Sequence, residues 1–283
     1  MEIIVGKTAG FCYGVKNAVS NTEEKLKELK KICCLGELVH NGEVIKKLEN
    51  LGLKIINKIE DSDSKLIIRA HGIPKEIYDK AKRMNIELLD YTCPKVLKIH
   101  DIAREYSGKE YFIFLIGGKE HPESIGTISF CGENSYLIEE KEDIEFAKDK
   151  LQKSKMKKLL IIVQTTFSMQ KFNDFVEEIK KDLPEDVELE IKNTICNATK
   201  IRQEETESIS KDVECMIIIG GKNSSNTRKL FDISKKNCIN TFIIETKDEI
   251  EKEQICQFKK IGIMAGASTP KESIDEVIKK ISK

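Results

Sequence analysis

The sequence predicts an α/β protein with mostly parallel strands, arranged as three similar α/β domains. Three observations carry this expectation. Short β-branched, apolar runs alternate with amphipathic helical patterns through all 283 residues. A turn recurs, with Ile116-Gly117-Gly118-Lys119-Glu120-His121-Pro122-Glu123-Ser124 aligning on Ile219-Gly220-Gly221-Lys222-Asn223-Ser224-Ser225-Asn226-Thr227. A cysteine also stands three times between a strand-like run and a helix-like one, at Cys12, Cys93 and Cys196.

Taken in order, the first apolar run, residues 2–5, is expected to complete the third domain, because Cys12 needs a strand before it and Val15 onward already begins the first domain's helix. That helix places Val15, Ala18, Leu26 and Leu29 on one face. Further strands are expected at 65–68, 111–116, 159–163, 215–219 and 260–264. After Cys93, Pro94 takes the first helical position, where its missing N–H does no harm, and Val96, Ile99, Ala103 and Tyr106 share a face. The resulting domains are 13–93, 94–192 and 193–283, the last completed by 1–12. Residues 68–74 read as a looser copy of the glycine-pair turn. A second set of polar loops follows other strands, at 35–42, 163–168 and 264–270. Open α/β sheets bind ligands at the carboxyl ends of their strands, so a pseudo-threefold arrangement would aim these loops at one central cavity.

Lys plus Arg total 48 and Asp plus Glu total 48, giving zero net charge. The chain therefore lacks the global basic field of a nucleic-acid binder. No apolar run reaches the ~20 residues of a membrane span, and no charged-then-apolar leader opens the sequence, so a soluble cytoplasmic protein with no membrane partner is expected. Nine cysteines in a reducing compartment read as free thiols or metal ligands. Cys33, Cys34, Cys131, Cys215, Cys238 and Cys256 read as small core residues.

Cys12, Cys93 and Cys196 differ from those six. A thiol at a helix start meets unpaired amides and the positive end of the helix dipole, which favour the thiolate a metal needs. Three thiols are an odd number for disulfides. They suit zinc with an open fourth position, or an iron–sulfur cluster with one iron lacking a protein ligand, and the absence of a close C-x-x-C pair favours the cluster. Three buried structural cysteines are the plain alternative. Around them, His40, His71 and His121 stand at strand-to-helix junctions, and Pro74, Pro122 and Pro270 are placed to open helices, the last just after Ser268. Such helix starts suit an anion, here an enclosed phosphate or diphosphate bound by His, Ser, Thr and Asn. Ser224, Ser225 and Asn226 form a dense donor cluster, though an isolated Ser-Ser-Asn is also an ordinary turn. Glu123, in a first helical turn, is either a dipole-favoured carboxylate or, if enclosed, a proton donor. Thr165 and Thr166 are caps or relay groups for that proton. His100 reads as structural.

Nine motifs in one order then carry a resemblance: Gly10-Phe11-Cys12, Val39-His40-Asn41, Ala70-His71-Gly72, Thr92-Cys93-Pro94, His121-Pro122-Glu123, Gln164-Thr165-Thr166, Cys196-Asn197-Ala198-Thr199, Lys222-Asn223-Ser224-Ser225-Asn226 and Ala265-Gly266-Ala267-Ser268-Thr269-Pro270. Over nearly the whole chain they resemble the 4-hydroxy-3-methylbut-2-enyl diphosphate reductase family, also called IspH or LytB. The resemblance implies three α/β domains in pseudo-threefold arrangement around one central 4Fe-4S iron-sulfur cluster, held by Cys12, Cys93 and Cys196 with one open iron. It implies reductive dehydroxylation of the allylic diphosphate to isopentenyl and dimethylallyl diphosphate, the last step of the methylerythritol phosphate pathway. His40, His71, His121, Ser224, Ser225, Asn226 and Ser268 would hold the diphosphate, Glu123 would supply protons, Thr165 would sit beside the substrate hydroxyl, and ferredoxin or flavodoxin would donate electrons. Asn17 departs from the family pattern, standing where a basic residue is expected. Two other readings compete: a non-redox dehydratase using an open-iron cluster, indifferent to added reductant, and a cluster-bearing sensor of a phosphate metabolite, for which no DNA-binding module is found.

Overall fold

The computed structural model describes residues 1–62 and 65–282. The first third of the chain forms β1 (Glu2–Val5), α1 (Tyr13–Leu29), β2 (Ile32–Leu35), α2 (Gly42–Asn50), β3 (Leu53–Ile56), β4 (Lys65–Ile68), α3 (Lys75–Arg83) and β5 (Glu87–Asp90). Next come α4 (Pro94–Gly108), β6 (Phe112–Ile116), α5 (Pro122–Ile128), β7 (Ser135–Ile138), α6 (Asp143–Ser154), β8 (Lys158–Val163), α7 (Met169–Lys181) and β9 (Glu188–Ile191). The last third holds α8 (Asn197–Ser210), β10 (Cys215–Ile219), α9 (Ser225–Asn237), β11 (Thr241–Ile244), α10 (Lys252–Ile255), β12 (Lys260–Ala265) and α11 (Lys271–Ser282).

The chain divides into two compact units. One comprises Met1–Lys30, Glu37–Leu53 and Asn197–Lys283, the other Lys31–Gly36 and Lys54–Cys196. The first unit carries the four-stranded sheet β1-β12-β10-β11, in which every neighbouring pair is parallel. The second carries β3-β2-β4-β5 and β7-β6-β8-β9. Parallel pairs need crossover connections, and these are the helices that the alternating pattern predicts.

The inner strands are fully buried because both faces are covered. Along β6 and β8, Phe112, Phe114, Ile116, Leu159, Ile161 and Val163 pack into one cluster with Ile144 and Ala147 of α6 and Phe172 and Val176 of α7. The alternate residues Ile113, Leu115, Leu160 and Ile162 join Ile99, Ala103 and Tyr106 of α4 on the other face. This period of two, with each fully buried large side chain contributing about 1.5–3 kcal/mol, fixes the register of the sheet. β10 and β12 repeat the scheme, with Ile217, Ile219, Ile261 and Ile263 facing α11 and Met216, Ile218 and Met264 facing Leu230 of α9.

Two details depart from expectation. Leu29 ends α1 exposed, since the helix closes one residue later on Lys30 in the left-handed conformation. Cys256 is exposed, while Cys33, Cys34, Cys131, Cys215 and Cys238 are buried; it follows the short helix α10 and points away from the cluster to which its neighbour Ile255 belongs. Among the described residues no helix is long and apolar enough to cross a membrane.

Candidate active site

The three sheets share one strand plan, and it relates the loops more closely than the sequence alone does. β2, β6 and β10 correspond, as do β4, β8 and β12. Five residues beyond the first set stand His40, His121 and Ser224; three beyond the second stand His71, Thr166 and Ser268. The His71 loop therefore groups with the Thr165 and Ser268 loops, and the His40 loop with the glycine-pair turns, the reverse of the pairing read from sequence. The matching signal is one glycine directly after the strand, at Gly36, Gly117 and Gly220; the second glycine of the pair is replaced by Glu37.

Each of the three cysteines is held by its backbone in the same way. The Cys93 amide donates to the Ala70 carbonyl at 3.0 Å, that of Cys196 to Thr165 at 3.0 Å, and that of Cys12 to Ala267 at 3.1 Å. All three acceptors lie two residues past the corresponding strands β4, β8 and β12. Cys12 and Cys93 are the N-cap residues of α1 and α4, yet neither side chain makes a capping hydrogen bond. Cys196 immediately precedes α8. All three are half-buried and in no disulfide. Burial pushes the thiols of Cys34, Cys131 and Cys215 up to about 12, so these stay neutral at physiological pH. Partly accessible, backbone-anchored thiols such as these are the ligand type that iron–sulfur centres use.

In the second unit, Glu123 is 2% exposed. Thr165 donates to it twice, from its amide to Oε1 and from Oγ1 to Oε2, each at 2.6 Å. Burial pushes the carboxyl up to about 7, against the pull of the two Thr165 hydrogen bonds toward the ionised form. His121 caps α5, its Nδ1 accepting from the Glu123 amide at 3.2 Å. A neutral His121 then carries its proton on Nε2, directed away from the cap. His71 lies edge-on to His121, ring centroids 5.5 Å apart. Gln164, to which the sequence assigns no role, is buried and ties the loops together: its Oε1 accepts from the Gly118 amide at 3.0 Å and its Nε2 donates to Thr166 Oγ1 at 2.8 Å. His100 is structural as expected, buried and stacked on Phe130 at 4.4 Å.

In the first unit, Ser224 caps α9 by accepting from the Thr227 amide, and half-buried Ser225 opens that helix. Asn226 is 3% exposed. Its Oδ1 accepts from the Ala267 amide at 3.1 Å, and its buried Nδ2 has no partner among the described residues. An orphaned amide donor beside helix-start hydroxyls matches an anionic ligand better than a closed core. Ser268 Oγ donates to the His40 carbonyl at 3.0 Å. The same carbonyl limits position 221, because a Cβ on Gly221 would lie 2.5 Å from it. The correspondence between sheets extends to chemistry. Asn226 and Glu123 both stand seven residues past their strands, and each accepts from the amide two residues past the partner strand. One copy of the motif holds an amide, the other an acid.

The family model described as "LytB protein" matches residues 3–282. The chain belongs to the LytB family. LytB relatives include the 4-hydroxy-3-methylbut-2-enyl diphosphate reductase of Caldanaerobacter subterraneus subsp. tengcongensis, 42% identical over 99% of this chain and 96% of that protein. The enzyme of the same name from Clostridioides difficile is 41% identical over 98% of each. Among solved structures, (E)-4-hydroxy-3-methyl-but-2-enyl diphosphate reductase, described as the terminal enzyme of the non-mevalonate pathway, is 39% identical, covers 100% of this chain and 99% of its own, and superposes with a TM-score of 0.72. The corresponding reductase from Plasmodium falciparum is 30% identical, with 100% and 88% coverage and a TM-score of 0.91.

Proposed function

We propose that this LytB protein removes the allylic hydroxyl of 4-hydroxy-3-methylbut-2-enyl diphosphate reductively, giving isopentenyl and dimethylallyl diphosphate as the last step of the methylerythritol phosphate pathway. The names of its relatives support the reaction. The observation that carries the chemistry is Glu123, buried, near neutral in pKa, and joined through Thr165 to the backbone of Cys196.

Balance sets what the protein must supply. One C–O bond breaks, one C–H bond forms, and two electrons and two protons are consumed with release of water. We assign the cofactor as one 4Fe-4S cluster on Cys12, Cys93 and Cys196, with one iron free of protein ligands. Bound there, it supplies electrons singly and a Lewis-acidic metal. The remaining work falls to side chains. Glu123, protonated below about pH 7, delivers a proton, and Thr165 Oγ1, already hydrogen-bonded to it, passes that proton toward the substrate hydroxyl. His40, His71, His121, Ser224, Ser225, Asn226 and Ser268 bind the diphosphate, His121 through Nε2 and Asn226 through its unpartnered Nδ2. Anchoring the diphosphate fixes the hydroxyl at the far end of a short substrate.

The same reading makes each sheet the centre of one domain, 13–93, 94–192, and 193–283 with 1–12. It places the protein in the cytoplasm and gives it ferredoxin or flavodoxin as electron donor. The first turns of α1, α4 and α8 each carry no acid and each hold one exposed lysine, Lys16, Lys95 and Lys200 respectively. Asn17, half-buried on α1, is the departure from the family pattern and bears on donor docking or packing rather than on the chemistry. The test is anaerobic. The purified protein is expected to show broad visible iron–sulfur absorbance and, with dithionite and a viologen mediator, to oxidise the mediator only when the allylic diphosphate is added. A protein that stays colourless after cluster reconstitution, or one that oxidises mediator regardless of substrate, overturns the reading.

A further inference from the structure

The buried side chains of helix α8 are all polar, Thr199, Arg202, Gln203, Thr206 and Ser210; of its isoleucines, Ile201 is 49% exposed and Ile209 is half-buried against the Met216 and Ile218 cluster. Such a face gains little from the hydrophobic effect. Arg202 is 3% exposed, and taking a guanidinium out of water costs several kcal/mol unless its donors are met. Two of them reach one short segment of chain. Nε donates to the Thr8 carbonyl at 2.8 Å and Nη2 to the Gly10 carbonyl at 2.7 Å. Glu205, nearly one helical turn along, accepts from the amides of Lys7 at 2.7 Å and Thr8 at 2.9 Å, and from the Thr8 hydroxyl.

Besides this grip the segment has two backbone ties of its own, the Ala9 amide donating to the Gly6 carbonyl at 3.1 Å and the Gly10 amide to the Ala265 carbonyl at 3.4 Å. β1 ends at Val5, so residues 7–10 have left the sheet ladder. Two opposite charges take hold of its two kinds of backbone group, carbonyls by Arg202 and amides by Glu205. The grip forces the backbone through Gly10 at φ +99°, a conformation L side chains rarely adopt, and a Cβ there would come within 3.2 Å of the Thr269 carbonyl. Two residues on, the chain reaches Cys12. The gripping helix itself starts at the residue after Cys196.

We propose that Arg202 and Glu205 are positioning residues for Cys12: a charged clamp, borne on the helix that follows Cys196, which sets the loop 7–10 and through it the place of the Cys12 thiolate. The inference rests on the proposed cluster for its consequence, firm retention of iron, and not for the clamp itself. Groups that orient a metal ligand typically change metal affinity about 10–100-fold when altered.

The experiment separates the two. Wild type, Arg202→Lys, Glu205→Gln and Thr8→Val are loaded anaerobically, and iron release to a chelator is followed together with the paramagnetic resonance spectrum. The same chains without iron are alkylated at one pH, and each cysteine's rate is read by peptide mass spectrometry against exposed Cys256. Iron release about tenfold faster in Arg202→Lys, with an altered spectrum, is the expected result. The Cys12 alkylation rate should change several-fold while Cys93 and buried Cys215 keep their wild-type rates. Folded variants with wild-type iron release and wild-type Cys12 reactivity overturn the proposal. So does a rise of Cys12 and Cys215 together, which marks general loosening. If wild type itself takes up no iron, the cluster reading falls, and the alkylation pattern alone decides the clamp. Should Arg202→Lys fail to fold, Glu205→Gln and Thr8→Val, which disturb only the amide side of the grip, decide between these outcomes by the same criteria.

Discussion

Replacing Glu123 by Gln changes one proton and almost no shape. Gln Oε1 accepts from the Thr165 amide as the carboxylate does, and Nε2 donates to Thr165 Oγ1, so both 2.6 Å contacts keep a partner. The molecule already contains the exchange, since Asn226 fills the corresponding place with an amide. Only proton delivery is lost, and general acid catalysis is worth about 10²–10⁴ in rate. A carboxyl pushed up to about 7 is roughly nine-tenths protonated at pH 6 and one-tenth at pH 8, so wild-type kcat falls about tenfold between them. Stability gives a second reading. The folded chain holds this proton between pH 4.5 and about 7 where the unfolded chain has released it, so its stabilising share is complete below 4.5 and is lost as pH rises through 7. At about 1.4 kcal/mol per pH unit the loss is about 3 kcal/mol, and the Gln variant escapes it. The assays are anaerobic turnover with a viologen mediator from pH 6 to 8, and urea unfolding of identically prepared proteins at pH 5 and 8.5. A variant that turns over at wild-type speed, or a wild-type kcat flat across pH 6–8, refutes the assignment of Glu123.

Three further outcomes are expected. Burial holds His100 down to about 4, against an ordinary 6.5, so its neutral form stabilises the fold above pH 6.5 and that share, up to about 3 kcal/mol, is lost as pH falls through 4; urea unfolding of wild type and His100→Leu at pH 7 and 4 reads the difference, which the variant should lack. Asn226→Leu removes a donor to a charged ligand, about 1.5–3 kcal/mol, and should raise KM about 10–100-fold with kcat much less affected. Gly221→Ala sets a methyl against the His40 carbonyl and should destabilise by about 1–3 kcal/mol in urea and weaken substrate binding, whereas Gly42→Ala, whose Cβ meets nothing within 4 Å, should do neither.

How far the sequence can be read follows from what each residue touches. The inner strands β4, β6, β8, β10 and β12 stand out because burial on both faces demands unbroken apolar runs. Edge strands such as β5, Glu-Leu-Leu-Asp, and β9, Glu-Leu-Glu-Ile, are wet on one side and interrupted by charges, and so give no such signal. β2 is implied only by the polar loop that follows it, since Cys33 and Cys34 occupy its centre and blur its apolar run. The cysteines and histidines at strand-to-helix junctions are legible because their residue types are rare there. The contact between Glu123 and Thr165, 42 residues apart, is a product of the crossover between β6 and β8 and leaves no local trace. Arg202 is hidden more deeply, because a cation in a polar helix reads as solvent-facing and only its partners, nearly 200 residues away, say otherwise.

The pairing of β1 with β12 has a bearing on how the protein is made. Glu2–Val5 are made well before residues 260–263, yet those residues define their place in the sheet. Cys12 waits likewise on the Ala267 carbonyl. The sheet that includes β1 therefore closes only after β12 has been made, with the long loop entropy that such distant contacts entail. Chains broken off before residue 260 retain all three cysteines but have no anchored first thiol. If the proposed cluster forms on these thiols, such shortened chains are expected to hold its iron less firmly, for want of the contact that fixes Cys12.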